Sequence, residues 1–327
     1  MNFIFSCLWW VLSTLSFLVG LISVVTYILV IAAQQLAKRF PQNLKKKYGA
    51  EWAVVTGASS GIGKAITEML AQQQINVVLV ALDDPLLHNT FAEVQKKYTK
   101  CNFRKVGVDL GVERMSYMSP IIEATRDIEV GLLFNNAGYI HTGLFTDTGI
   151  EKLRANLECN AICSIAITHH FLRKMMERRR RGLVAFTSSS AGYFPGPTAT
   201  MYSSSKAFLT NFATTLAAEV RHAGIHVVVI HPSPVKTNFY KNCGPTLNSL
   251  NTMQKMAISP THIAEEIFAS AGRLTVWDQG LTTAAFRVAN KIFDFQFLTE
   301  LVVRLANLNG DHRRLVGASK IHSNKEA

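Results

Sequence analysis

A tyrosine and a lysine four positions apart, Tyr202 and Lys206, have the spacing in this chain that best allows proton transfer. Residues four apart lie on one face of a helix, so the Lys206 ammonium would lie near the Tyr202 phenol. An unperturbed phenol, with a pKa of about 10, exchanges protons poorly at neutral pH. Because a neighbouring cation favours the phenolate, the spacing predicts a lowered pKa and a usable acid or base at Tyr202.

A glycine-rich segment at 56–63 (TGASSGIG) follows an apolar run and precedes a helical pattern. In that context a tight turn lets backbone N–H groups and a helix N-terminus approach a pyrophosphate. The segment therefore predicts a dinucleotide site. A bound hydride carrier beside an ionisable phenol would make a hydride-transfer site.

Apolar runs that alternate with helical patterns must position these two motifs. The predicted strands are 52–56, 76–81, 103–108, 130–134, 183–187 and 225–230. Alternation of this kind predicts βαβ units and a parallel sheet. Runs that are apolar throughout, such as 77–80, indicate helices on both faces. We therefore predict an α/β fold with a doubly wound parallel sheet, whose ligand crevice lies beyond the carboxyl ends of the strands.

The N-terminal part of the chain has the composition of a membrane anchor. Residues 1–37 contain no Asp, Glu, Lys or Arg, and 3–33 are dominated by apolar side chains. A bilayer core of about 30 Å needs roughly 20 helical residues, so one span is predicted, with a tight hairpin, a signal peptide or a buried core helix as alternatives. The basic residues at 38–39 and 45–47 predict that this end, and the domain after it, faces the cytosol.

Charge and composition indicate which classes of partner the protein could bind. The 327-residue chain has a formal charge of +12 and 48% hydrophobic residues. Such an excess of Lys and Arg suits anionic lipid, a phosphorylated ligand or nucleic acid. Many of these cations flank hydrophobic segments and no nucleic-acid motif is present, which favours a lipid surface. The five cysteines form no metal-ligand pattern, so we predict no metal site and a reducing compartment.

Several motifs between about 52 and 237 resemble the short-chain dehydrogenase/reductase family in order and spacing. The family's TGxxxGxG stands at 56–63, its NNAG at 135–138, and its PGxxxT at 232–237, where Ser233 replaces the glycine. The resemblance implies a Rossmann fold and an NAD(P)-dependent oxidoreductase. The family's catalytic asparagine, serine, tyrosine and lysine fall on Asn160, Ser189, Tyr202 and Lys206.

The resemblance also implies what each of these residues does. Tyr202 would donate the proton as hydride reaches a substrate carbonyl, while Ser189 would polarise the carbonyl oxygen. Lys206 would hydrogen-bond the nicotinamide ribose, and Asn160 would hold a water that links Lys206 to solvent. The implied cofactor-binding residues are Gly57, Ser59, Ser60, Gly61, Ile62, Gly63, Asp83, Asp109, Asn136, Ala137, Gly138, Tyr202, Lys206, Pro232, Val235 and Thr237.

The choice between NAD and NADP depends on the end of the second strand. An acidic side chain there hydrogen-bonds the ribose 2′-hydroxyl of NAD, whereas an arginine accommodates the 2′-phosphate of NADP. Relatives that use NADP often carry arginine where this chain has Leu82, which is followed by Asp83 and Asp84. Asp83 would repel a 2′-phosphate, but it lies later than Ala81, the position of the usual NAD-selecting acid. Lys64 is a partial substitute for the missing cation. Both cofactors stay open, with a slight lean to NADP from the reductase relatives.

Apolar and aromatic residues that follow the fourth, fifth and sixth strands favour a lipid-like substrate, with ordinary core packing as the alternative for any one of them. They are Tyr139, Ile140, Leu144, Phe145, the segment 193–197 (YFPGP), Phe239 and Tyr240. Residues 246–272 predict a substrate-covering insert and a last core helix that begins near Pro260. Residues 281–295 predict an amphipathic helix, for which a membrane interface, an oligomer contact and core packing are all open. A loose basic tail is expected after Gly310.

The predicted organisation is a membrane anchor with a basic juncture (1–47), a catalytic domain (48–280) and a C-terminal amphipathic helix with a basic tail (281–327). The anchor, the juncture, the sequence YGAEW at 48–52 and the apolar C-terminal region are similar to the group of 17β-hydroxysteroid dehydrogenase type 12 and very-long-chain 3-oxoacyl-CoA reductases. That resemblance implies a reductase of 3-oxoacyl-CoA or ketosteroid, homodimeric and held at the endoplasmic reticulum membrane. A retinoid or sphingoid-base reductase and a non-catalytic dinucleotide-binding membrane scaffold are the alternatives.

Overall fold

A computed structural model describes residues 2–240, 243–245 and 247–326 of the chain. The chain divides into two compact units, Met1–Pro41 and Gln42–Ala327. The first contains one continuous helix, α1 (Asn2–Arg39), in which an 18-residue window within Phe3–Arg39 has a mean hydropathy of 2.6 and is 0% buried. One exposed, uninterrupted apolar helix fits the predicted single span, and it fits neither a hairpin nor a core helix.

A single parallel sheet organises the described part of the second unit, with seven strands in the order β3-β2-β1-β4-β5-β6-β7. The strands are β1 (Trp52–Thr56), β2 (Asn76–Ala81), β3 (Phe103–Gly107), β4 (Val130–Asn135), β5 (Gly182–Thr187), β6 (Ile225–His231) and β7 (Val276–Asp278). The six predicted strands are confirmed within one residue at each end. Strand order reverses between β1 and β4, so the ligand crevice is expected above their carboxyl ends.

Helices cover both faces of the sheet. The α-helices of the described part of this unit are α2 (Leu44–Tyr48), α3 (Gly61–Gln72), α4 (Pro85–Lys97), α5 (Met118–Ala124), α6 (Ile150–Leu157), α7 (Cys163–Glu177), α8 (Thr200–Val220), α9 (Asn248–Gln254), α10 (Pro260–Ser270), α11 (Gly280–Ile292), α12 (Phe295–Leu305) and α13 (Gly310–Glu326). On one face, Ile121, Phe171 and Leu209 join α5, α7 and α8 to strand residues in one core cluster. On the other, Phe134 of β4 stacks on Phe268 of α10, with ring centroids 6.0 Å apart. The predicted doubly wound α/β fold is confirmed.

The chain beyond β6 differs in part from expectation. The last core helix near Pro260 is confirmed as α10, which Ser259 caps through a hydrogen bond to the backbone of Thr261. The prediction of a loose tail after Gly310 is wrong, because that segment forms α13. Asp311 there accepts hydrogen bonds from two backbone N–H groups at the start of α9, each at 2.9 Å. The three domain bounds stay predictions.

Candidate active site

One cavity of about 740 Å³ opens at the carboxyl ends of β1, β4, β5 and β6. It brings together most of the residues singled out from the sequence. Those that line it are Gly57, Ser59, Ser60, Gly61, Ile62, Asp109, Asn136, Ala137, Gly138, Ser189, Tyr202, Lys206, Pro232, Val235 and Thr237. The volume lies within the range of about 300–1,000 Å³ that is usual for small-molecule and cofactor sites.

Three predicted site residues do not line this cavity. Gly63 lies beneath the glycine turn, and Asn160 is buried behind the cavity wall. Asp83 is exposed at the end of β2, where its carboxylate lies 3.2 Å from His88 Nε2. The structure therefore does not bring Asp83 to the other candidate cofactor contacts, whereas its neighbour Asp84 lines the cavity.

The glycine turn between β1 and α3 fits a pyrophosphate. Gly57 and Gly61 have φ values of +64° and +55°, which side chains other than glycine rarely adopt. A Cβ on Gly63 would lie 2.1 Å from the Gly57 carbonyl oxygen, so only glycine allows this close packing. The N-cap residue of α3, Ser60, makes no side-chain capping hydrogen bond. The N-terminus of α3 therefore presents its first N–H groups to the cavity, as an anion site requires.

Hydrogen bonds join the ends of β1, β4 and β5 beneath this turn. The Thr56 hydroxyl accepts from the backbone N–H groups of Asn136 and Ala137, each at 3.0 Å. The Asn136 amide donates to the Thr56 carbonyl at 3.2 Å and accepts from the Thr187 hydroxyl at 3.1 Å. The asparagine thus fixes three strand ends relative to one another, and with them the floor of the cavity.

The candidate proton donor and its neighbours lie at the opposite side of the cavity from the β2 end. The Lys206 Nζ is 5.6 Å from the centroid of the Tyr202 ring and donates to the Thr187 carbonyl at 2.9 Å. Ser189 hydrogen-bonds the Tyr202 phenol and also accepts from the Ala191 N–H at 3.1 Å. The predicted face shared by Tyr202 and Lys206 is confirmed, because both side chains of α8 line the cavity.

Burial governs the protonation of these two side chains. It raises the pKa of Tyr202 well above the ordinary value of 10.0, and the hydrogen bond to Ser189 opposes this only in part. Burial also lowers the pKa of Lys206 from 10.5 to about 8. The expectation of a lowered phenol pKa is therefore wrong, since removal from water disfavours the phenolate more than the nearby ammonium favours it. Tyr202 is protonated at neutral pH.

Asn160 holds the end of β4 beside the lysine. It lies on a π-helical turn, Glu158–Ile162, of the kind that is frequent at functional sites. Its amide donates to the Tyr139 carbonyl at 2.8 Å and accepts from the Tyr139 N–H at 2.9 Å. A Cβ on Gly138 would lie 2.5 Å from Asn160 Oδ1 and 3.3 Å from Lys206 Nζ. Asn160 thus lies next to Lys206, and its water-holding role stays a prediction.

A buried histidine, His231, supports α8 from below. His231 Nδ1 lies 3.0 Å from both the Tyr193 hydroxyl and Asp278 Oδ1, and Nε2 lies 2.8 Å from the Thr210 hydroxyl. Thr210 in turn donates to the backbone carbonyl of Lys206 at 2.9 Å. Burial alone would raise the pKa of Asp278, but the bond to His231 holds it below its usual value. The network ties β6 and β7 to α8.

The serine that replaces the family's glycine has a defined place. Ser233 donates its hydroxyl to the Gln279 carbonyl at 2.7 Å. A Cβ on Gly280, whose φ is +81°, would lie 2.4 Å from the Ser233 oxygen. The glycine at the start of α11 therefore leaves the room that the serine side chain needs. This pairing connects the cavity floor to the C-terminal helices.

Apolar walls surround the remaining space. Of the eleven predicted wall residues, those that line the cavity are Tyr139, Ile140, Phe194, Pro195, Gly196, Pro197, Phe239 and Tyr240, whereas Leu144, Phe145 and Tyr193 do not. The predicted insert is confirmed as a wall, since α9 and the residue before it contribute Leu247, Leu250 and Met253. Phe286 of α11 also lines the cavity and contacts Phe194, with ring centroids 4.9 Å apart. Its place on the predicted amphipathic helix was the signal that could have identified it.

A doubly wound sheet with a glycine turn, a helix N-terminus and a Tyr-Lys-Ser group in one cavity defines the class of nicotinamide dinucleotide-dependent oxidoreductases. A family model described as short chain dehydrogenase matches residues 51–248. The chain belongs to the short-chain dehydrogenase family, which confirms the resemblance read from its motifs.

The chain is also similar to individual curated proteins of this family. A very-long-chain 3-oxoacyl-CoA reductase of Laccaria bicolor is 36% identical over 56% of this chain and 55% of its own length. A 17-beta-hydroxysteroid dehydrogenase type 3 of Rattus norvegicus is 33% identical over 70% of this chain and 72% of its own. A human protein named inactive hydroxysteroid dehydrogenase-like protein 1 is 32% identical over 68% of this chain and 69% of its own length. The chain spans about half the length of the reductase from Laccaria.

Solved structures agree on the fold. The structure of a 7β-hydroxysteroid dehydrogenase superposes with a TM-score of 0.68 at 26% identity, and the match covers 76% of this chain and 95% of that one.

Proposed function

We propose that this protein is a membrane-anchored oxidoreductase that transfers hydride between a nicotinamide dinucleotide and the carbonyl or hydroxyl group of a lipid-like substrate. The observation that carries the proposal is that Tyr202, Ser189 and Lys206 open into the same cavity as the glycine turn at 57–61. Hydride transfer to a carbonyl needs a proton donor next to the dinucleotide and walls that exclude water.

Each side chain has a task that its surroundings support. The dinucleotide supplies or accepts the hydride when bound. Tyr202 keeps its proton because burial raises the pKa of the phenol, and it gives that proton to an alkoxide, which is a far stronger base. Ser189 holds the carbonyl oxygen beside the phenol. The Lys206 ammonium, 5.6 Å from the Tyr202 ring centroid, stabilises the phenolate that is left.

The substrate that we propose is a 3-oxoacyl-CoA or a ketosteroid. The walls next to Tyr202 are apolar and aromatic, with Phe239 5.6 Å from the Tyr202 ring and Phe194 packed on Phe286. Such walls bind an acyl chain or a sterol ring better than a polar ketone. The names of the relatives from Laccaria and rat point to the same two substrate classes.

A substrate panel tests the proposal. Purified full-length protein in detergent is given NADH or NADPH with a long-chain 3-oxoacyl-CoA, a 17-ketosteroid, retinal or a 3-ketosphingoid base. We expect cofactor oxidation with the acyl-CoA or the ketosteroid. Turnover of retinal or the sphingoid base alone would contradict the substrate assignment and leave the reaction type standing.

A dinucleotide-binding protein without turnover is the second candidate, and the relative named as inactive favours it. The presence of Tyr202, Ser189 and Lys206 in one cavity argues against it. Saturable dinucleotide binding with no oxidation across the whole panel would make this second candidate the better one.

We propose that the catalytic domain lies on the cytosolic side of the endoplasmic reticulum membrane. The basic residues after the apolar helix support this orientation. Helices α11 and α12 expose large side chains, among them Ile292 (68% exposed) and Phe297 (55% exposed), and carry Lys291 and Arg304 beside them. We propose that this apolar, cation-flanked face rests on the lipid headgroups. Because Phe286 of α11 lines the cavity, a lipid substrate would have a short path to the site.

Tryptophan quenching tests the contact with lipid. In liposomes of brominated anionic lipid, Phe297→Trp is expected to be quenched more strongly than Phe208→Trp, which replaces an exposed phenylalanine of α8. Equal quenching of the two would contradict the docked face. For the orientation, a glycosylation acceptor sequence added after α13 is expected to stay unmodified in microsomes. Its modification would place the domain in the lumen.

A further inference from the structure

The cavity extends to the carboxyl end of β2, next to the glycine turn. Because β2 pairs with β1 in parallel, both strands end at the same edge of the sheet. The backbone N–H of Ala58 in the turn donates to the Val80 carbonyl at 3.3 Å. A dinucleotide whose pyrophosphate lies at the start of α3 therefore places a ribose beside the β2 end. The residues that line the cavity there are Ala81, Leu82, Asp84 and Leu86.

In the described part of the chain, this end of the cavity carries an acid and no cation. Of the described residues that line the cavity, Lys206 is the one cation, and it lies beside Tyr202. The acids are Asp84 at the β2 end, Asp109 after β3, and Asp311 beside the start of α9. Lys64 of α3, the cation that sequence reasoning considered as a substitute for arginine, is not among them and forms an ion pair with Glu93 of α4. A ribose 2′-phosphate would thus meet the Asp84 carboxylate here, while Lys64, its expected counter-charge, is paired with Glu93.

Asp84 is the N-cap residue of α4, at the helix end where a bound anion would otherwise be favoured. Its Oδ1 accepts from the Leu87 N–H at 2.9 Å and so caps α4, whose first residue, Pro85, has no N–H to give. The positive end of this helix is therefore already matched by a carboxylate. A carboxylate has about four lone-pair sites, so Asp84 can still accept a hydrogen bond from a hydroxyl. A phosphate carries about two negative charges at neutral pH and would be repelled.

We propose that the cavity selects the dinucleotide without a 2′-phosphate, NAD(H), over NADP(H), and that Asp84 is the specificity-determining residue. The Asp84 carboxylate would accept a hydrogen bond from the ribose 2′-hydroxyl of NAD(H), and its charge would repel the 2′-phosphate of NADP(H). This inference rests on the proposed function, since it names the cofactor of that site. It reverses the lean to NADP drawn from the sequence, which assigned the relevant acid to Asp83.

Binding titrations without any ketone test this inference. Full-length protein in detergent is titrated with NADH and NADPH, and cofactor fluorescence gives each Kd. We expect NADH to bind at least about tenfold more tightly. In Asp84→Asn, where the asparagine still caps α4, the Kd of NADPH is expected to fall several-fold and the preference to shrink. Leu82→Arg, at a position that is 53% exposed and tolerant of a long side chain, is expected to strengthen NADPH binding further.

Asp83→Asn is the matched control, because it removes the same charge one residue earlier, from a carboxylate that lies beside His88 outside the cavity. We expect it to leave the ratio of the two Kd values unchanged. NADPH binding as tight as NADH in the unmodified protein would overturn the inference, and so would an equal shift in Asp83→Asn and Asp84→Asn. Absence of binding by either cofactor would overturn the proposed function as well, which separates that failure from a wrong cofactor preference.

Discussion

Tyr202→Phe is expected to lower kcat/KM for the ketone by about 10²–10⁴-fold, the usual contribution of a positioned proton donor. The substitution removes the hydroxyl that Ser189 holds, while the ring keeps its contact with Phe239. Dinucleotide affinity is therefore expected to change little. Initial rates with the substrate that the panel identifies, together with cofactor titrations on the same preparation, measure both effects.

Tyr98→Phe is the matched control for this substitution. Tyr98 is the residue that follows α4, it does not line the cavity, and it also loses only a hydroxyl. Its variant is expected to keep the rate of the unmodified protein. Should Tyr202→Phe retain most of the activity, the phenol would not be the proton donor and the proposed roles of Ser189 and Lys206 would have to be reassigned.

The inner strands of the sheet were predictable from sequence because they are covered on both faces. Burial on both sides requires apolar side chains at every position, and runs such as 77–80 record this directly. The three-residue strand β7 is too short to leave such a record. Helix α13 was missed for another reason, since the bonds from Asp311 to the start of α9 join segments far apart in sequence.

The grouping of the site was predictable where its signal is local. Tyr202 and Lys206 share a helix face because they are four residues apart, and the glycine turn has its own spacing. Protonation was not predictable, because the burial that raises the pKa of Tyr202 comes from many residues on separate elements. The same limit applies at β2, where spacing alone could not show that Asp84, and not Asp83, faces the cavity.

Lys206→Met is expected to lower turnover at least about 100-fold and yet to stabilise the cofactor-free protein at pH 7. Burial lowers the pKa of Lys206 from 10.5 to about 8, so keeping the ammonium charged in the folded state at pH 7 costs about 3 kcal/mol. Methionine removes that cost but leaves the Thr187 carbonyl without the 2.9 Å hydrogen bond from Lys206, a loss of about 1–2 kcal/mol. The balance is a net gain of about 1–2 kcal/mol.

The pH dependence of this gain identifies its cause. Because the pKa of Lys206 is lower in the folded state than in the unfolded state, the unfolded chain binds more protons between about pH 8 and 10.5. The destabilising cost is thus fully present below about pH 8 and is relieved as the pH rises. In detergent, the unfolding temperature of Lys206→Met should therefore be higher than that of the unmodified protein at pH 7 and equal to it near pH 9.5. Lys100→Met, at an exposed lysine, should show no such change. A gain that is the same at both pH values would mean that tighter apolar packing, and not the release of a buried charge, stabilises the variant.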